Sequence, residues 1–168
     1  MPNRLILTAA VAALFFASCM RTTKPVTAAP RLECRLEASG PAAVRFILVN
    51  RTDAPLWVLR WNTPLEGWQG TIFELTSEGA EIPYAGPMVK RGDPGREDYT
   101  EIPAGEKAEA TVNLALVYDL GKPGTYRLRV TGGLQDLTAD PGTVPRPRDQ
   151  QEPAPLDCPE IEVSVGEP

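Results

Sequence analysis

What most limits the fold of this chain is the rhythm of its interruptions. Between frequent prolines and glycines, short runs of residues alternate apolar and polar with a period of two. Leu32, Cys34 and Leu36 fall on one face, with Arg31, Glu33, Arg35 and Glu37 on the other. Charged outer positions at that period define a half-buried strand. The same reading gives strands over Ala43 to Asn50, Leu56 to Trp61, Thr71 to Thr76, Lys107 to Leu114, Thr125 to Thr131 and Ile161 to Val165, with a short extended piece from Tyr99 to Pro103. Composition enters here: 14 glycines and 18 prolines stand in 168 residues. Proline removes a backbone donor and glycine weakens helix interiors, so long helices are disfavoured. Ala115 to Leu120 has room for a single helical turn. The pattern predicts an all-β, immunoglobulin-like antiparallel β-sandwich of about 7–8 short strands.

The first 30 residues read as something other than fold. Arg4 gives a positive start, and Leu5 to Phe16 is apolar except for Thr8. A bilayer span takes about 20 apolar residues, so this run is a signal-peptide core rather than a membrane helix. Ala17 and Ser18 put small residues directly before Cys19, with Phe16 where a bacterial lipobox usually has Leu. The expected organisation is a lipoprotein signal peptide over 1–18, a Thr-, Ala- and Pro-rich tether over 19–30, and one sandwich domain over 31–168. Lipidation of Cys19 would hold the protein to a membrane, since each buried methylene contributes about 0.8 kcal/mol. The competing reading is an ordinary cleaved signal with Cys19 incidental. Met20 and Arg21, not Asp, follow the cysteine. By the sorting rule of Gram-negative lipoproteins this points to the outer membrane.

Many chemistries are excluded by residue type. The sequence contains no histidine, which removes His-based triads, His-ligated zinc and the H-E-x-x-H protease helix from this chain. The net charge of −5 is spread without a basic run, so nucleic-acid binding has no electrostatic footprint. No nucleophile–base–orienter set, phosphate loop or metal constellation is legible, and no cofactor is implied. Glu97 beside Asp98 is the pair a carboxylate enzyme would use, and such pairs arise by chance.

The remaining cysteines, Cys34 and Cys158, lie in or beside the first and last strands. An exported chain meets an oxidising compartment, and two cysteines remain once Cys19 is assigned, so a disulfide is expected over two buried thiols. Trp57 and Trp61 share a face with Leu59 and read as core, while Trp68 sits in a loop and is undecided between core and platform. Tyr126, following Pro123-Gly124-Thr125, is placed to send its hydroxyl back to upstream backbone as a tyrosine corner. Ala85 to Asp98 is a long loop with two prolines, three glycines and the charges Lys90, Arg91, Asp93, Arg96, Glu97 and Asp98. Loops of this length without periodicity are functional or mobile. Its basic residues could hold an anion or a carboxylate-bearing partner; the competing reading is a loop closed by its own ion pairs. Trp68, Tyr84, Lys90, Arg91 and Tyr99 form the candidate partner-binding set.

An ordered series of short motifs carries a family resemblance. Asn50-Arg51-Thr52, Trp61-Asn62-Thr63-Pro64-Leu65-Glu66-Gly67, Ile82-Pro83-Tyr84-Ala85-Gly86-Pro87, Lys90-Arg91-Gly92-Asp93-Pro94, Tyr99, Pro103-Ala104-Gly105-Glu106, Tyr118-Asp119-Leu120 and Pro123-Gly124-Thr125-Tyr126 occur in that order. They resemble the non-catalytic β-sandwich region that precedes the catalytic domain of bacterial and fungal deuterolysin-type, lysine-specific zinc metalloendopeptidases. The zinc helix of those proteases has no counterpart here, so no catalytic residue carries over. The resemblance implies a stand-alone accessory module, not an enzyme. The expected function is a lipid-anchored envelope binding or interaction module whose partner is a peptide, a protease or another envelope protein. The alternatives are a protease inhibitor or prodomain-like chaperone for a metalloendopeptidase, and a passive structural lipoprotein.

Overall fold

Residues 31–166 are described by a computed structural model. The signal segment and the whole tether, Cys19 included, lie outside them. Ten strands follow in chain order: β1 Leu32–Ala38, β2 Ala43–Asn50, β3 Leu56–Leu59, β4 Phe73–Ser77, β5 Ala80–Glu81, β6 Tyr99–Ile102, β7 Lys107–Asn113, β8 Gly124–Val130, β9 Leu137–Thr138 and β10 Ile161–Val165. No α-helix occurs among the described residues. Eight of the strands are the alternating runs and the short extended piece. The other two, β5 and β9, are two residues long, too short for a period to show. The turn foreseen after β7 is a 3-10 turn over Leu114–Leu116, with the Asn113 side chain accepting from the Ala115 amide.

The strands pair antiparallel in three sheets, ordered β1-β2-β7, β10-β8-β4-β5 and β6-β3-β9. Alternation fixes the register, because a slip by one residue would turn every apolar side chain to water. Thus Cys34 faces Leu48, Leu36 faces Phe46, and Tyr126 faces Val163 across their ladders. Val44, Phe46, Leu48, Phe73, Leu75 and Leu128 are completely buried in the main core between the sheets.

β3 is different because both of its faces are covered. Leu56 and Val58 enter the main core. Leu59 joins a second cluster with Trp61, Tyr99 and Val144, against which Trp57 packs. The strand ends at Leu59 rather than at Trp61. Asn62 adopts φ 55°, and the Thr63 amide donates back to the Arg60 carbonyl, closing a turn. The second cluster is roofed by the chain following β8, the stretch that reads in sequence as an irregular connection.

Two further devices match their sequence signals, and a third explains a motif. Tyr126 Oη donates to the Lys122 carbonyl at 2.7 Å, forming the expected corner. Cys34 and Cys158 are disulfide-bonded, with Cα atoms 4.8 Å apart, tying β1 to the segment entering β10. Asn50, fully buried, explains the Asn-Arg-Thr motif. Its Nδ2 donates to the carbonyls of Ala54 and Ile102, and its Oδ1 accepts from the Thr52 amide and hydroxyl.

Candidate binding site

The loop from Ala85 to Asp98 is fixed at many points. At its start Tyr84 bridges to Tyr118, and the Ala85 amide donates to the Val117 carbonyl at 2.8 Å. Tyr84 Oη donates to the Pro87 carbonyl at 2.9 Å, and the Val89 amide to the Gln69 carbonyl at 3.2 Å. At its end the Gly95 amide donates to Asp98 Oδ2 at 2.8 Å, and Arg60 holds the carbonyls of Glu97 and Asp98.

Its charges do not close on one another, contrary to the self-paired reading. Arg91 pairs with Glu66 and lies 4.8 Å over the Trp61 ring. Arg96 lies 4.8 Å over the Trp57 ring and donates to the Val144 carbonyl at 3.0 Å. Asp93 accepts from the Arg148 amide, and Arg148 Nη1 donates to the Arg91 carbonyl at 2.9 Å. The physical reason is spacing. With only a bend at Asp93 between Arg91 and Gly95, the loop does not fold back on itself, and β3, the following turn and the 141–148 stretch are the nearer partners. Burial pushes the Glu66 carboxyl up, against the opposing pull of the Asn62 amide and Arg91.

The five candidate residues separate into groups. Trp68 and Tyr84 come together: their ring centroids are 6.2 Å apart, and both pack on Tyr118, at 6.1 and 5.6 Å. Trp68 Nε1 donates to the Asn113 carbonyl, so this tryptophan is half-buried against the main core. Arg91 belongs to the Trp61–Glu66 contact. Lys90 is exposed, between the exposed Val89 and Arg91. Tyr99 lies apart, in the second cluster, with its hydroxyl donating to Asp136 Oδ2 at 2.7 Å. Burial, then that hydrogen bond, pushes its phenol up to about 12.

Two features had no clear sequence signal. The first is a buried ionic knot. Asp136 is wholly buried and accepts from Tyr99, from Arg146 Nη1 at 3.0 Å and from the Glu152 amide at 2.9 Å. Arg146 Nη2 also reaches Thr138 Oγ1 at 2.9 Å. A lone Asp between Gln135 and Leu137, ten residues before an Arg in a proline run, offers no period to detect.

The second is an open groove of about 750 Å³ between the loop and the segments 131–135 and 148–155. Met88 and Val89 form one wall, 73% and 42% exposed. Gly132 and Gly133 run along another wall, where backbone must approach closely: a Cβ on Gly133 would stand 2.5 Å from the Ala154 carbonyl oxygen. The Leu134–Ala154 bridge sits at this contact. Among the described residues, no three metal-ligating side chains gather anywhere.

The structure thus sets a fixed loop beside an open groove on a small antiparallel β-sandwich. Among known proteins its sequence is similar to parts of proteases. An extracellular protease of Aeromonas hydrophila is 27% identical over 86 residues, covering 51% of this chain and 25% of that protein. A neutral protease 2 homolog of Arthroderma gypseum is 26% identical over 105 residues, covering 61% of this chain and 28% of that protein. A neutral protease 2 homolog of Coccidioides posadasii is 26% identical over 103 residues, 60% of this chain and 29% of that protein. The alignments thus take in between a quarter and three-tenths of these relatives' lengths. The resemblance to deuterolysin-type proteases read from the ordered motifs is found again in both bacterial and fungal relatives. No family model matches the sequence.

Proposed function

We propose that this chain is a non-catalytic interaction module, anchored through Cys19 in the cell envelope of a Gram-negative bacterium, with the 85–98 loop and its groove as the contact face. One observation carries the reading. The loop is held from outside by Arg60, Glu66 and Arg148, while Met88 and Val89 remain exposed. Apolar side chains on a pre-ordered loop avoid the ordering cost that otherwise reduces affinity. The absence of histidine in this sequence also speaks against the zinc chemistry of the related proteases. The partner is a peptide, a protease or another envelope protein.

A photo-crosslinking residue at Lys90, introduced in living cells, tests the face. The expected result is one discrete envelope adduct, lost on Met88→Asp and missing when the probe sits at exposed Lys122. Equal labelling from both positions, or none from either, favours a passive structural domain. Cys19→Ser tests the anchor: the protein is expected to leave the membrane fraction, and continued membrane association refutes lipidation. The protease likeness supports a second reading, an inhibitor or prodomain-like chaperone. Dose-dependent inhibition or assisted refolding of a deuterolysin-type protease by the purified domain would select it.

A further inference from the structure

The groove beside the loop has a lining chemistry unlike the rest of the molecule. The chain carries 22 acidic residues and a net charge of −5, yet no Asp or Glu lines this groove. Its one charged lining residue is Arg148. That guanidinium forms no ion pair among the described residues; one nitrogen holds the Arg91 carbonyl, and the others remain available. Carboxamides supply the other long polar side chains: Asn62, Gln69, Gln135 and Gln151. Each offers both a donor and an acceptor, the complement of a peptide unit.

Gln151 gives the more pointed observation. Its Nε2 is shut off from solvent and has no hydrogen-bond partner among the described residues, while the residue lines the groove. A buried donor left unmade is destabilising, and turning the Gln151 side chain into the groove would let an incoming carbonyl oxygen take it. Met88 and Val89 add an apolar wall at the same opening. The bare backbone at Gly132, with nothing packed where its Cβ would stand, leaves room for another chain to come close.

From this juxtaposition we propose that the groove binds an extended peptide segment bearing a carboxylate. Its main chain meets the carboxamides, one carbonyl takes the Gln151 donor, an apolar side chain rests on Met88 and Val89, and the carboxylate pairs with Arg148. Arginine suits this role because its planar donors match a carboxylate bidentately. The inference deepens the reading of this face as a contact surface and depends on it. The carboxylate can come from a peptide C-terminus or from an Asp or Glu side chain.

Three synthetic peptides sharing one alternating Val/Thr sequence separate the possibilities. One has a free C-terminus, one is amidated, and one is amidated with a single internal Glu. Binding to the full chain is measured by fluorescence anisotropy and by side-chain amide NMR. At least one carboxylate-bearing peptide is expected to bind ten-fold or more tighter than the neutral amide. Whichever of the two does so identifies the source of the carboxylate. Arg148→Gln is expected to erase that preference, and Arg148→Lys to restore part of it. Gln151→Leu is expected to weaken every binding peptide, and the Gln151 side-chain amide resonance to shift on titration. Equal affinity for the neutral peptide, or an unchanged preference in Arg148→Gln, overturns the proposal. If no peptide binds while the Lys90 probe still captures one envelope protein, the peptide chemistry falls and the contact face stands. If both fail, the reading of the face falls as well.

Discussion

Replacing Arg146 by Met should cost this domain much of its stability. Asp136 is entirely buried and accepts from Tyr99, Arg146 and the Glu152 amide. Only Arg146, itself with its side chain 12% exposed, brings a compensating buried charge. Methionine keeps much of the arginine stem's volume and removes the guanidinium, leaving the carboxylate with two neutral donors. Breaking one side of a buried pair costs about 3–5 kcal/mol. The lost contact to Thr138 Oγ1 adds about 1 kcal/mol, and the pairing with exposed Glu152 adds little because water already screens it. A loss of about 5 kcal/mol lies at the lower edge of the roughly 5–15 kcal/mol that holds a typical domain folded. Urea unfolding followed by tryptophan fluorescence, with the disulfide intact, measures it. Asp136→Asn and the double substitution complete the cycle. The double variant is expected to be more stable than Arg146→Met alone, because no unpaired charge remains in the interior. A loss below about 1 kcal/mol for Arg146→Met, or a double-variant loss equal to the sum of the two single losses, would refute the reasoning.

The disulfide and the buried tyrosines each set a further expected outcome. The Cys34–Cys158 bond spans 124 residues, and the chain-entropy relation for a loop of that length gives about 5 kcal/mol. Cys34→Ala with Cys158→Ala should lower the urea midpoint accordingly, and an unchanged midpoint would show that the bond constrains nothing. Burial pushes both the Tyr99 and Tyr118 phenols up to about 12, above the ordinary 10.0. Between those values the unfolded chain has released protons that the folded chain retains, so their contribution to stability is complete below pH about 10 and lost as the pH rises through about 12. Tyrosinate absorbance recorded with circular dichroism checks this: ionisation of all four tyrosines near pH 10 without unfolding would contradict it.

How much was readable in advance depended on whether a residue's partners lay nearby in the chain. β1 and β2 were legible because their alternation records which side chains face the core. Tyr126 was legible because its acceptor, Lys122, is four residues away. β9 was not, since Leu137 and Thr138 become a strand only by pairing with Trp57 and Val58. Leu56-Trp57-Val58-Leu59 is continuously apolar, a sign of burial on both faces, yet nothing local names Val144 as the cover for the second face. The 138–155 stretch looked irregular because its order comes from distant groups: Arg96 on the Val144 carbonyl, and Asp136 on Arg146 and the Glu152 amide. Among the site residues, Trp68 and Tyr84 meet because both border the 3-10 turn that carries Tyr118 towards the core. Tyr99 parts from them because alternation along β6 turns it to the second cluster.

The disulfide joins points near the two limits of the described chain. Cys34 stands just after Arg31, and Cys158 a short way before Gly166. If both limits are pulled, tension runs through a few residues on either side, across one sulfur–sulfur bond and out again. The 124-residue loop between the cysteines, with its sheets, loop and groove, lies off that line of force. A domain wired in this way can be pulled at both limits without the load crossing what lies between the cysteines. The 85–98 loop and its groove would keep their shape under the load.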